Sequence, residues 1–256
     1  MNRILPALFA LALLSACAAT PSYNATVYPF EINRELLSST EIKRVIIATV
    51  NLGGPSRSYL EGSVESVDQV VSEYLEDHSY EVVSQRRFQQ EWKKAVRIYG
   101  NPMDPTTGRV NQKTFTLVLV SIRDALLEND EVDAIVFTDL IEKDITFSGG
   151  LKHLARWDGV SRKPSLQGPG EGVTGGFDWN QSAKGASLWV NIYTMDLQRV
   201  FSSMGGLDTT QAIDTRSASG AYVRRRNILE NENFIKEGVE LAFHPLIELS
   251  NYPGNP

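Results

Sequence analysis

From Ala186 to Tyr193 the chain alternates without a break: Ala186, Leu188, Val190 and Ile192 are separated by Ser187, Trp189, Asn191 and Tyr193. Successive side chains of a strand point to opposite faces, so this segment reads as a strand with an aliphatic, core-facing side and an aromatic, polar side. The rest of the chain supplies a sheet around it. Lys43 to Asn51 (KRVIIATVN) is an apolar run ended by Gly53-Gly54-Pro55, suited to a strand buried on both faces. Val64, Val67, Val70, Val71, Tyr74 and Leu75 recur at helical spacing behind a candidate cap at Ser63. Tyr80 to Ser84 is a second short strand. Phe88, Trp92, Ala95 and Val96 mark an amphipathic helix that stops near Gly100-Asn101-Pro102, and Asn101 to Gly108 is a turn-rich loop. Phe115, Val118, Leu119, Ile122, Ala125 and Leu126 outline a third helix.

The second half differs in character. Val132 to Ile141 is a buried strand that Asp144 to Ser148 prolongs or pairs with, and Arg199 to Met204 is a hairpin partner for the alternating strand. Between them, Gly149 to Lys184 has eight glycines, two prolines and two of the four tryptophans. It reads as a long irregular segment, a kind often functional in compact domains. Phe234, Ile235, Val239, Leu241, Ala242 and Leu246 form a closing helix. The economical assembly is an α/β chain of the α+β type: a single domain over 43–256, with a mixed β-sheet and helices packed mainly on one face.

The first residues carry a different kind of information. Arg3 precedes an apolar run from Ile4 to Ala16, which is too short to span a bilayer and fits a signal peptide over 1–16. Leu14-Ser15-Ala16-Cys17 resembles the bacterial lipobox, with the lone cysteine of the chain at the position that receives diacylglycerol. That resemblance implies a lipid-anchored first residue, Cys17, and a polar tether over 17–42, partly docked through Tyr28 and Phe30. Ala18 and Ala19 stand where a retention Asp would keep the chain in the inner membrane. The periplasmic face of the outer membrane of a Gram-negative bacterium is therefore the implied address.

Charge and motifs narrow the function classes. Without residues 1–16 the chain has 24 Lys+Arg against 31 Asp+Glu, a net charge of −7, which argues against a nucleic-acid partner. One cysteine excludes a disulfide framework. The run Gly168 to Gly176 contains Pro169 and Glu171 and is followed by Phe177, so it lacks the bare amides and the lysine of a phosphate loop. His78, His153 and His244 are never paired at ligand spacing. His78 and His244 read as structural, and His153 stays open. Asp130, Glu131 and Asp133 cluster, as do Glu142 and Asp144, in the pattern of solvated turns rather than a catalytic pair. Arg224-Arg225-Arg226 is the one concentrated basic patch, suited either to phosphates of lipid or lipopolysaccharide or, more commonly, to a solvated turn before the last helix. No catalytic residue, metal site or cofactor is expected.

The element order, with the hairpin WVNIYTMDLQRVFSS, resembles a periplasmic group over residues 43–245. That group includes the curli secretion lipoprotein, the lipoprotein activators of penicillin-binding proteins and the N-terminal domain of the Tol-system protein TolB. Asp196-Leu197-Gln198-Arg199 lacks the glycine such a turn carries, and Gly149 to Lys184 lacks the alternation of barrel hairpins.

The resemblance implies a non-enzymatic binding or accessory lipoprotein that docks on an envelope protein or associates with itself. Alternatives are a homo-oligomeric secretion-channel subunit related to the curli system, and an envelope hydrolase using His153 or a carboxylate pair. Tryptophan and arginine dominate binding hot spots. The expected partner-binding residues are accordingly Arg156, Trp157, Asp158 and Arg162 on the long loop, with Trp189 and Tyr193 on the aromatic side of the sheet; the competing expectation is that the loop seals that side and Trp157 and Trp179 are core.

Overall fold

The computed structural model describes residues 30–49, 51–129, 132–148, 153–169, 172–173, 175–216 and 220–249. Cys17, the signal peptide and the tether up to residue 29 lie outside the described residues, as do Asp130, Glu131 and Gly149-Gly150. Eleven strands are described: β1 (Phe30–Ile32), β2 (Arg44–Ile47), β3 (Glu81–Val83), β4 (Ala134–Thr146), β5 (Ala155–Trp157), β6 (Val160–Arg162), β7 (Ser165–Gln167), β8 (Ser182–Thr194), β9 (Arg199–Thr209), β10 (Gln211–Asp214) and β11 (Tyr222–Arg224). The helices are α1 (Arg34–Ser39), α2 (Val64–Asp77), α3 (Gln85–Tyr99), α4 (Gln112–Asn129) and α5 (Glu232–Phe243), with a 3-10 helix over Pro55–Ser63 leading into α2. No helix among the described residues is long and apolar enough to cross a membrane.

Six strands form one mixed sheet in the order β1-β9-β8-β4-β2-β3. β2 is parallel to β3 and β4, while β4–β8, β8–β9 and β1–β9 are antiparallel. The α/β class and the mixed sheet are as the sequence predicts. The placement of the helices is not. β3 lies on one side of β2 and β4 on the other, so two crossovers of the same hand must run over opposite faces. α2 and α5 accordingly cover one face, packing on Val45, Ile47, Val136, Leu188 and Phe201. α3 and α4 cover the other face at β2 and β4, through Phe88, Ala95, Ile122 and Leu126 on Ile46, Ala48 and Ile135. The alternation within Val45-Ile46-Ile47-Ala48 explains its unbroken apolar run: every side chain meets a helix layer.

Three further expectations are corrected. The fold includes residues from Phe30, not only from residue 43, because β1 pairs with β9 (Phe30 opposite Ser203, Ile32 opposite Phe201) and Leu36, Leu37 and Ile42 pack on the core. Ser63 does not cap α2. Its hydroxyl donates to Ile228 O at 3.3 Å, and the preceding 3-10 turns feed the helix directly. The Gly149–Lys184 segment is not structureless: β5 and β6 form a two-stranded ribbon, and β7 joins β10 and β11 in a small three-stranded sheet.

α5 sits unusually close to β9. A Cβ on Gly205 would lie 1.8 Å from Gly238 O and 2.7 Å from Ala242 N, so backbone meets backbone there. Gly205→Ala should therefore destabilise the fold by about 3 kcal/mol or more through forced separation of helix and sheet. Gly62→Ala, where the added carbon meets nothing within 4 Å, should stay within about 0.5 kcal/mol. Urea midpoints of the two variants check this, and equal midpoints would contradict it.

Candidate functional site

Among the described residues, β1 flanks β9 only from Phe201 to Ser203. Beyond that point the backbone groups of β9 need other partners. The β5–β6 ribbon provides them. Gly206 N donates to Asp158 O at 2.8 Å, and Arg162 Nε donates to Leu207 O at 2.8 Å. Asp158, 5% exposed, also accepts Ser187 Oγ at 2.6 Å and Lys143 Nζ at 2.7 Å. Arg162, equally buried, pairs with Glu237 at 2.7 Å and lies over the Phe234 ring at 3.9 Å. Trp157 fills the space left by two glycines: added Cβ atoms at Gly185 and Gly206 would stand 2.9 Å and 3.2 Å from its ring. Its Nε1 donates to Ala186 O at 3.2 Å, and it packs with Ile145, Phe147, Val160 and Leu241.

These positions correct half of the expected partner surface. Trp157, Asp158 and Arg162 are buried groups that seal the sheet edge, which leaves them no face for a partner. Arg156 alternates outward on β5 and is exposed. Trp189 and Tyr193 are half-buried on the aromatic side of the sheet, and the ribbon lies beyond them on Gly185 and Gly206 rather than over them.

Between the α3–α4 layer and the ribbon, a strip of this face is only partly covered, with Phe137 at its border still packed on the α3–α4 cluster, edge-on to Phe88 at 6.0 Å. Register sets Asp139, Trp189 and Met204 in one row across β4, β8 and β9, with Phe137, Asn191, Ser202 and Glu31 in the next. Trp189 Nε1 donates to Ser202 Oγ at 2.9 Å, and Lys143 Nζ reaches Met204 Sδ at 3.2 Å. Tyr193 meets Phe137 edge-on at 5.7 Å. Asp139 stands at the centre, accepting from Asn51 Nδ2 at 2.5 Å. Burial pushes its carboxyl up, against the opposing pull of the Asn51 amide and the Arg57 charge.

Asn51 to Gly54, beyond the end of β2, border the strip on the side of β4. Asn51 bridges to Asp139 on β4. Gly53 has a φ of 74°, the left-handed region that favours glycine, and the Arg57 guanidinium passes over it, Nη1 donating to Leu140 O at 2.7 Å. Chemically, the strip offers an indole face and a thioether beside a carboxyl that keeps its proton to milder pH than usual. Such a surface suits a partner presenting an apolar group next to a hydrogen-bonding one.

The other expected motifs are dispersed. Arg224-Arg225-Arg226 is not a solvated turn: Arg224 ends β11, pairs with Glu142 at 2.7 Å and lies over the Tyr59 ring at 3.5 Å. Arg225 pairs with Asp208 at 2.6 Å and also donates to Thr209 O. Burial raises the Glu142 carboxyl, but hydrogen bonds from Thr210, Tyr59 and Arg224 outweigh it and hold the group below its ordinary range. Tyr59 is pushed up to about 12, by burial and then by the Glu142 carboxylate. Asp133 is structural rather than a solvated turn, accepting Lys43 N at 2.9 Å and Arg44 N at 2.7 Å. Asp144 pairs with Lys184. His78 bonds Tyr74 O at 2.7 Å, and burial lowers the pKa of His244. His153 stacks on Trp179 with ring centres 3.6 Å apart. Among the described residues no three His, Cys, Asp or Glu side chains are grouped to hold a metal ion.

Sequence reasoning passed over Asp139, Asn51 and Met204. Asp139 had a signal, a single carboxylate in the otherwise apolar or neutral run VDAIVFTDLI after its opening residues. Asn51 and Met204 had none, since their relevance comes from pairing with distant strands. No family model, curated protein or solved structure matches the chain.

Trp157→Ala should cost about 3–5 kcal/mol, as for a large side chain removed from a core, and Trp189→Ala no more than about 2 kcal/mol, as for a half-exposed one. Urea unfolding of both separates packing from surface roles, and similar losses would refute the distinction. Asp139 also makes a pH prediction. Its folded pKa is raised, so its contribution is full below the unfolded value of about 3.9 and is lost as pH rises through the folded one. Asp139→Asn should thus raise the urea midpoint at pH 7 and converge with the parent chain near the acid end of the range. A difference independent of pH would show that the carboxyl is not destabilised by burial.

Proposed function

We propose that the chain is a lipid-anchored envelope protein, held by acylated Cys17 at the periplasmic face of the outer membrane. There it acts as a non-enzymatic binding component that docks on another envelope protein or on a second copy of itself. The observation that carries this reading is the lone cysteine directly after Leu14-Ser15-Ala16, at the end of a short apolar run. The fold supports it through reach. Thirteen residue steps separate Cys17 from Phe30, so at most roughly 45 Å of chain links the bilayer to the first strand. The strip around Trp189, Met204 and Asp139 is the partner face under this reading, in place of the buried loop residues.

Two measurements test it. Cells grown with labelled palmitate should label the parent chain and leave Cys17→Ser unlabelled, with the parent in the membrane fraction and the variant outside it. An unlabelled parent chain removes the anchor. The native mass after extraction in mild detergent should exceed that of one copy, and Trp189→Ala should return it to one copy while the domain stays folded. A lone monomer in the parent extract removes the binding role.

A further inference from the structure

α3 and α4 are tied together at one end. Asn111 N, just before α4, donates to Pro102 O at 2.8 Å, and Met103 bridges to Val110. Asp104 closes the loop between them: its amide donates to Arg109 O, its carbonyl accepts Gly108 N, and its carboxylate accepts Thr106 N and Thr107 N, each at 2.8 Å. Those two amides hold the carboxyl below its ordinary range. The last turns of α3 and the first turns of α4 therefore form one tip of the molecule.

This tip is unlike the rest of the surface in two respects. Of the six large apolar side chains that stand exposed among the described residues, four are here: Ile98, Tyr99, Val110 and Leu117, with Ile98 at 70%. Around them stand Lys93, Lys94, Arg97, Arg109 and Lys113, all exposed. Residues 93–113 hold those five bases and one acid, Asp104, a local charge of +4. The rest of the chain after residue 16 has 19 bases and 30 acids, or −11. Lys94 pairs with Glu91, whereas Lys93, Arg97, Arg109 and Lys113 form no ion pair with any described residue. The arginines at 224 and 225 show the contrast, since each is neutralised by a carboxylate on the sheet.

Exposed apolar side chains ringed by free cations match the chemistry of an anionic bilayer surface. The apolar groups enter the headgroup boundary, and the basic side chains lay their stems alongside and their charges among the phosphates. We propose that the α3–α4 tip is a docking surface for an anionic phospholipid leaflet, a second membrane contact besides the acyl anchor. The inference extends the anchored reading, and its test keeps the two apart.

The full chain, purified from its membranes, is placed on vesicles of phosphatidylcholine alone or with one third phosphatidylglycerol, and amide hydrogen exchange is followed over residues 96–117. On the anionic vesicles exchange at the tip should slow at least about five-fold at low salt and recover at 500 mM sodium chloride, where screening is short-ranged. The triple variant Lys93→Glu, Arg97→Glu, Lys113→Glu should lose the slowing, with unchanged exchange along β4 and β8 showing that it is folded. Equal exchange on both vesicle types, or slowing that survives the variant, overturns the proposal. Slowing in native membranes but on neither vesicle also overturns it, in favour of an acidic protein partner. The mass of the Cys17 peptide reads the anchor separately: without diacylglycerol the anchored reading fails, and flotation of the same chain with anionic vesicles then measures the tip alone.

Discussion

The ladder between β4 and β8 is the constraint on which the rest depends. It runs from Ala134 opposite Thr194 to Thr146 opposite Ser182, thirteen consecutive pairs without a bulge. One edge of β4 carries the parallel strands β2 and β3, and β8 carries the antiparallel strands β9 and β1. An unbroken register preserves the alternation of side chains along the whole length, so any residue's face is settled by its parity. Near Ala134 both faces are covered by helices. Toward Thr146 the ribbon takes over one face, and a third apolar cluster forms around Phe147 and Trp157.

Each buried charge of this distal end is met by an opposite charge that reaches in from a more exposed position. Asp158 with Lys143, Arg162 with Glu237 and Arg225 with Asp208 each bring a charge into a site where it could not stand alone. Their geometry specifies where the ribbon and the small sheet attach, because an apolar collapse would tolerate several positions. The same logic separates the two basic regions of the chain. Arg224 and Arg225 meet carboxylates supplied by β4 and β9, whereas Lys93, Arg97, Arg109 and Lys113 of the α3–α4 tip meet none among the described residues.

The strip at Asp139 and Trp189 exists because of a mismatch in lengths. β4 and β8 extend well past the short parallel strands, so the helices that follow those strands cannot reach the whole of the face, and the ribbon covers only its far end. What lies between is a band centred on the half-buried Asp139, Trp189 and Met204.

Much of this was legible in the sequence. The helical spacing of Val67, Val71 and Leu75, the alternation from Ala186 to Tyr193 and the hairpin partner after Arg199 each depend on neighbours within a few turns, and local periodicity records them. Strands of three or four residues hold too few positions for a period; β2 and β3 showed through their apolar runs, whereas β1, β5, β6, β7, β10 and β11 were not visible. Their partners are also remote, as with Phe30 and Ser203 or Ser165 and Ala212. The faces taken by the helices followed from the strand order, which the sequence does not display. The fate of the tryptophans was decided the same way: Trp157 is buried because Gly185 and Gly206, far along the chain, leave a space of its shape, while Trp189, on a strand the sequence predicts, stays half open because no helix among the described residues packs on its row. The sequence by itself determined the local elements, the lone cysteine directly after Leu14-Ser15-Ala16 and the charge asymmetry, since these are written in consecutive residues. Only the tertiary structure decided which polar and aromatic groups meet, because that depends on register between segments distant in the chain.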